Sequence, residues 1–202
     1  MYSKLPNLVI GFHGCDKTTA DNVIIRNESM HESKNDYDWL GNGIYFWEQN
    51  LERAWDWAHE QSTNPTSLIK EPAVIGAVID LGHCLNLCDM HYIDVIKNQY
   101  ILFEKQSRFS GTPLPKNGNA KDSSDLLLRR LDCAVIENLH DTLKQLKEPQ
   151  YDSVRGVFLE GDEIYSGSGF KNKTHIQICV RNPNCIKGLF LPRADDGKWL
   201  IP

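Results

Sequence analysis

The sequence predicts an α+β protein. Two observations carry that prediction. Short strand-like runs are concentrated before residue 89 and after residue 150, with a mainly helical block over about 89–148 between them. The strict strand–helix alternation of a doubly wound sheet is absent. At 202 residues, one domain spanning 1–202 is the simplest organisation, and no internal repeat is visible.

Composition narrows the classes. A hydrophobic fraction of 41% and a charged fraction of 24% are those of an ordinary globular chain. The net charge of −5 gives no overall basic footprint for nucleic acid. No apolar run approaches the roughly 18 residues of a membrane span, and Met1 to Ile10 is too short and polar for a secretory signal. The expectation is a cytoplasmic protein without membrane contact. Its six cysteines lack a framework spacing and read as reduced thiols. Cys84, Cys88 and His91 match no standard zinc spacing and have no second ligand pair, so no metal is expected.

Taken in order, Leu8 to Cys15 reads as a buried strand carrying His13-Gly14 near its end. Thr18 to Arg26 reads as a short helix capped by Asp16 or Thr18. Glu28 to Asp38 is polar and aperiodic, hence a loop. It leads into Gly41-Asn42-Gly43, residues that tolerate turn conformations, and then into the strand formers Ile44, Tyr45, Phe46 and Trp47. This stretch fits either a plain hairpin with a buried aromatic or a turn that presents Tyr45 to a flat ligand.

Asn50 is a natural N-cap for a helix to about Gln61, with Leu51, Ala54, Trp55 and Ala58 on one stripe and Trp57 beside it. Ala73 to Leu81 is a nearly continuous apolar run, a buried strand. Cys84 to Cys88 is a short strand or a turn. Residues 89–105 read as one helix and Ser123 to Lys147 as another, its leucines spaced by fours. Between them, 107–122 is a Gly- and Pro-rich loop. Tyr151 to Leu159, His175 to Val180 and Ile186 to Leu191 are strands. In the middle one, Ile176, Ile178 and Val180 face one side while His175, Gln177 and Cys179 face the other.

Three of these features in this order resemble the diphtheria-toxin-like ADP-ribosyltransferases, which include the catalytic domains of poly(ADP-ribose) polymerases. The features are His13-Gly14 on an early strand, Gly41-Asn42-Gly43-Ile44-Tyr45-Phe46 after a loop, and a late strand bearing a polar residue. The short helix after the tyrosine strand and the run Ala77 to Gly82 extend the likeness, which covers 8–88 well and 154–191 loosely. The block at 89–148 has no counterpart in it.

The resemblance implies a split β-sheet core with an inserted helical block, and NAD as co-substrate with no metal. By the resemblance, the Gly14 backbone would pair with the nicotinamide carboxamide and His13 would bind a ribose hydroxyl. Tyr45 would stack on the nicotinamide ring, and Gly43 would belong to the same cofactor-binding turn. Eleven residues beyond Tyr45, where poly(ADP-ribose) polymerases carry a second stacking tyrosine, stands Asp56. Trp55 and Trp57 flank it, and Trp57 is the candidate that a small shift of the helix brings into the pocket.

The family's late-strand Glu is replaced by Gln177. An amide can bind a hydroxyl through its carbonyl oxygen, but it is no base and brings no negative charge. Three accounts stand side by side. Gln177 suffices for mono-transfer; Glu160 or Glu163 reaches in from the preceding loop; or the domain binds NAD or ADP-ribose without reacting. The missing Glu argues against polymer elongation. The resemblance thus implies mono-ADP-ribosylation of a macromolecular acceptor, a protein side chain or a nucleic-acid base. An NAD glycohydrolase is the close variant, with water as acceptor. Small stand-alone members of the superfamily are often bacterial toxins, effectors or defence proteins, so an antitoxin or immunity protein joins the implied partners. Lys171, Lys173, Arg181, Lys187 and Arg193 give the late segment local basic character.

Overall fold

The computed structural model describes residues 8–119 and 125–193. In chain order the elements are β1 (Leu8–Asp16), α1 (Lys17–Ile25), β2 (Ile44–Glu48), α2 (Leu51–Ser62), β3 (Pro72–Asp80) and β4 (Cys84–Asn86). They continue with α3 (Met90–Ser110), α4 (Arg130–Leu146), β5 (Ser153–Phe158), β6 (His175–Val180) and β7 (Ile186–Phe190). The strands form a seven-stranded sheet in the order β4-β5-β6-β2-β1-β3-β7. Only β4 and β5 run parallel; the other neighbours are antiparallel. The protein is α+β with a mixed sheet.

The sheet is uneven in the middle. β1 pairs with β3 from Leu8↔Asp80 to Asp16↔Pro72, along its whole length. With β2 it pairs only at Gly11↔Glu48 and Phe12↔Trp47. The sheet is therefore joined at its centre through a two-rung ladder, a pinch between β7-β3-β1 and β2-β6-β5-β4.

Strand alternation sends two apolar sets to opposite faces. Ile44, Phe46, Ala77, Ile79, Ile178 and Val180 cluster on one face, where α1 packs through Ala20 and Val23 against Cys15 and Ile75. On the other face, α2 covers Trp47 and Val74 through Ala54. α3 and α4 cover Leu85, Val154 and Cys179 through Val95, Ile96, Ile136 and Leu139. Asp16 caps α1 by accepting from Thr18 N–H at 2.9 Å. It also accepts from Lys70 and Glu71 N–H at 2.8 and 3.0 Å. Those last two bonds, ahead of the cap bond itself, lower its pKa to about 2.

The helical block connects β4 to β5. A parallel pair cannot be closed by a tight turn and needs a long crossover; α3 and α4 supply it. Two boundaries differ from the sequence expectation. α3 continues to Ser110 and stops at Gly111, which takes the left-handed conformation at φ 72°. α4 starts at Arg130, not at 123, and of that expected start residues 123 and 124 lie outside the described residues. The cause is local: Leu128 bridges to Gly118, and Asn117 Oδ1 accepts from Leu131 N–H at 2.8 Å. Leu127 continues the spacing by fours, but it lines a cavity and belongs to no helix face.

Candidate functional site

Where the β1–β2 ladder stops, a side chain takes over. The pair after Phe12↔Trp47 would bring His13 opposite Phe46. Instead His13 Nδ1 donates to the Tyr45 carbonyl oxygen at 2.8 Å. A carbonyl only accepts, so the proton sits on Nδ1 and Nε2 of the neutral ring is left as an acceptor. Burial lowers the His13 pKa, which favours this neutral form.

Gly14 is the next residue of β1. Ile10 directs its carbonyl toward β2, where it accepts from Gln49 N–H at 2.9 Å. Alternate residues of a strand direct their backbone groups to the same neighbour, so Phe12 and Gly14 also turn theirs toward β2. Phe12 still has a partner there; Gly14 lies past the last rung. Its N–H and C=O therefore face the gap. The glycine has a second cause as well. A Cβ at Gly14 would collide with the Ala54 carbonyl oxygen and meet Trp57 at 3.0 Å, so α2 can lie on β1 only if this residue is glycine.

The gap opens into a cavity of about 540 Å³. His13, Gly14, Gly43, Tyr45, Trp57, Glu160 and Gln177 all line it. Residues from both ends of the chain are thus brought to one place. Glu163 is not among the lining residues. It is exposed, it bridges Lys171, and its carboxylate accepts from Gly167 N–H at 2.9 Å, which turns it onto its own loop. Of the two tryptophans flanking Asp56, Trp57 faces the cavity, with its ring 5.5 Å from that of Trp47. Trp55 is 49% exposed and so falls off the expected inward stripe.

The Tyr45 hydroxyl donates to Gly41 O at 2.8 Å and accepts from Leu40 N–H at 3.0 Å. It clamps the turn while part of the ring lines the cavity. Burial raises its pKa well above the ordinary phenol value, and the hydroxyl stays protonated. The turn is held from the other side too. Glu137 of α4 accepts from Asn42 N–H at 2.8 Å and pairs with Arg181, which also donates to Asn42 O at 2.9 Å. Gly41 adopts φ 80°, the left-handed region that suits glycine. At Gly43, a Cβ would come within 2.6 Å of Cys179 Sγ and the Val180 carbonyl, so the glycine lets β2 close onto β6.

Neither expected carboxylate is free. Glu160 receives two bonds of 3.1 Å from Arg53 Nη2, and the Arg53 side chain is 6% exposed. The remaining Arg53 nitrogens, Nε and Nη1, have no hydrogen-bond partner among the described residues, and the guanidinium lies 5.8 Å from the Trp47 ring centre. Gln177 Oε1 accepts from Trp39 Nε1–H at 2.6 Å. An indole N–H only donates, which fixes the amide with its oxygen on Trp39 and its NH₂ as the free end.

Sequence reasoning missed Asp38, Trp39 and Arg53, all cavity-lining. Asp36 and Asp38 look alike in the sequence, but Asp36 turns out to pair with Arg130 while Asp38 turns inward. A basic residue in the first turn of a helix that carries two tryptophans was the signal for Arg53. Three of the five late basic residues are taken up by carboxylates: Lys171 pairs with Asp125, Lys173 with Glu60 and Arg181 with Glu137. Among the described residues, no group of three or more His, Cys, Asp or Glu could hold a metal ion. None of their helices is long and apolar enough to cross a membrane.

Comparison with known proteins finds similarity to an uncharacterized protein of Methanocaldococcus jannaschii. It is 28% identical over 197 residues, covering 88% of this chain and 84% of that one. No family model matches the chain, and no solved structure matches it.

Proposed function

We propose that this protein is a mono-ADP-ribosyltransferase that cleaves NAD in the cavity at the sheet's pinch and transfers ADP-ribose to a macromolecular acceptor. One observation carries the proposal. The backbone of Gly14, past the last β1–β2 rung, faces a cavity walled by the acceptor nitrogen-bearing ring of His13, the Tyr45 and Trp57 rings and the Gln177 amide. Each is suited to one part of NAD. An N–H and a C=O side by side match the two ends of a carboxamide. His13 Nε2 can accept from a ribose hydroxyl, and the two aromatic rings suit a flat pyridinium. The free NH₂ of Gln177 can donate to a second ribose oxygen. Nicotinamide leaves as a neutral molecule, so most of the acceleration comes from positioning the reacting groups.

A second reading has its own support. Glu160 is neutralised by Arg53 and the Gln177 oxygen is occupied by Trp39. Such a cavity would also serve a module that binds NAD or ADP-ribose without cleaving it. The test that separates the readings is melting with and without NAD, run beside nicotinamide release, for wild type and Tyr45→Ala. Stabilisation with release that depends on Tyr45 supports the transferase or its NAD glycohydrolase variant, which an acceptor search then divides. Stabilisation without release supports the binding module. Neither effect in folded protein would overturn both.

A further inference from the structure

The cavity contains a carboxylate that no other part of the site uses. Asp38 lines it together with His13, Gly14 and Gln177. Four hydrogen bonds fix its loop beside the cavity. Trp39, its neighbour, donates to Gln177 at 2.6 Å. Tyr45 O–H ties down Leu40 and Gly41. Gly41 N–H donates to the Asp38 carbonyl at 2.8 Å. The Asp38 side chain accepts from Asn35 N–H at 3.1 Å and forms no ion pair among the described residues. The other two cavity carboxylates differ in that respect: Glu160 is held by Arg53 and Glu60 by Lys173.

Resting on the reading of the cavity as an NAD site, we propose that Asp38 is its catalytic carboxylate, the general base that takes the proton of the attacking acceptor. It would supply from the loop before the Gly-Asn-Gly turn what Gln177 lacks on the late strand. In the step, the bond between ribose C1′ and the nicotinamide nitrogen breaks, and its electron pair stays on that nitrogen, leaving neutral nicotinamide. A lone pair of the acceptor oxygen or nitrogen forms the new bond to C1′. The acceptor's proton passes to Asp38 and from there to water.

The surroundings suit the role. Burial, more than the hydrogen bonds from Ser33 and Asn35 that oppose it, raises the Asp38 pKa above the ordinary carboxylate value, which makes it a stronger base once ionised. The titratable groups that share its field are Asp36 on the same loop, Tyr45 of β2, Cys133 of α4 and Cys179 of β6. Burial raises the pKa of the phenol and of both thiols, so they stay neutral. His13 and His31 line the same cavity.

The test uses NAD alone, with water as acceptor, and the variants Asp38→Asn and Asp38→Glu. Asparagine keeps an oxygen to accept from Asn35 N–H, so the loop retains its bond. NAD affinity is read from quenching of tryptophan fluorescence, and turnover from nicotinamide release. The proposal expects Asp38→Asn to hold NAD within about threefold of wild type and to release nicotinamide about 10²-fold more slowly or worse, the usual scale for a lost general base. Asp38→Glu should recover part of the rate. The wild-type rate should rise with pH through an acid limb that Asp38→Asn flattens. Wild-type turnover in Asp38→Asn would overturn this assignment and leave the NAD reading standing. So would NAD binding without nicotinamide release by wild type. Absence of NAD binding by wild type would instead overturn the reading on which it rests.

Discussion

Trp39 Nε1–H meets Gln177 Oε1 at 2.6 Å, a bond between residues 138 positions apart in the chain. It joins the loop before the turn to β6 and gives the Gln177 amide one orientation. Trp39 is itself wedged in place: its ring lies 4.9 Å from Phe158, and a Cβ at Gly156 would come within 2.9 Å of it.

Trp39→Phe keeps an aromatic ring and removes the donor. The half-buried amide oxygen loses its partner, which costs about 1–3 kcal/mol, and the amide is free to rotate. The expected result is a folded protein, less stable in urea by about that amount, with nicotinamide release at least tenfold slower.

Gln177→Glu tests the charge directly. The indole N–H continues to donate, now to a carboxylate, and a charge-assisted bond is the stronger one. If the sugar cation lacks only a negative partner, release should rise by about an order of magnitude with little change in melting temperature. Unchanged or lower release would count against a missing charge on this strand as the limitation.

Gly14→Ala puts a methyl group where α2 rests on β1. Overpacking of this kind costs about 1–3 kcal/mol, a fall of a few degrees or more in melting temperature for a chain of this length. The shifted helix carries Trp57 with it, so NAD-dependent stabilisation should shrink too. A melting temperature equal to wild type would contradict the contact.

Acid should destabilise the fold in two windows. His13, His140 and His175 all have pKa values lowered by burial. His175 makes the reason concrete: Nδ1 is bonded to Lys173 O, while buried Nε2 has no partner for a proton among the described residues. A group whose folded pKa lies below its unfolded value binds more protons when unfolded, so stability is full above pH ~6.5 and erodes as pH falls beneath it. Asp16, lowered to about 2, adds stability that is full above pH ~4 and lost toward pH 2. Urea midpoints between pH 8 and 2 should fall in both windows. His175→Gln should blunt the upper decline, and Asp16→Asn the lower.

Much of the architecture was legible because local rules and tertiary demands agree there. Asp16 and Asn50 cap the helices that follow them, and the apolar run after Pro72 is an interior strand. His13-Gly14 and the Gly-Asn-Gly turn, far apart in the chain, do meet at one cavity. The failures have a common physical origin: the same local pattern serves different tertiary ends. Leu127 fits a helical period yet lines a cavity. Gln99 is the buried residue of α3, because it bonds Asn138 and Thr142 of α4. Glu160 and Glu163 are near neighbours on one loop, but Arg53 holds the first at the cavity and Gly167 N–H holds the second on its own loop.

The two-rung pairing of β1 with β2 also concerns motion. Few backbone bonds hold the two halves of the sheet in register, so the seam should open more readily than either half unfolds. A molecule that hydrogen-bonds Gly14 on one bank and rests on Tyr45 on the other would act as the missing rung. NAD should then slow amide hydrogen exchange along both β1 and β2, well beyond the residues it touches, with the ligand serving as a stitch in the sheet.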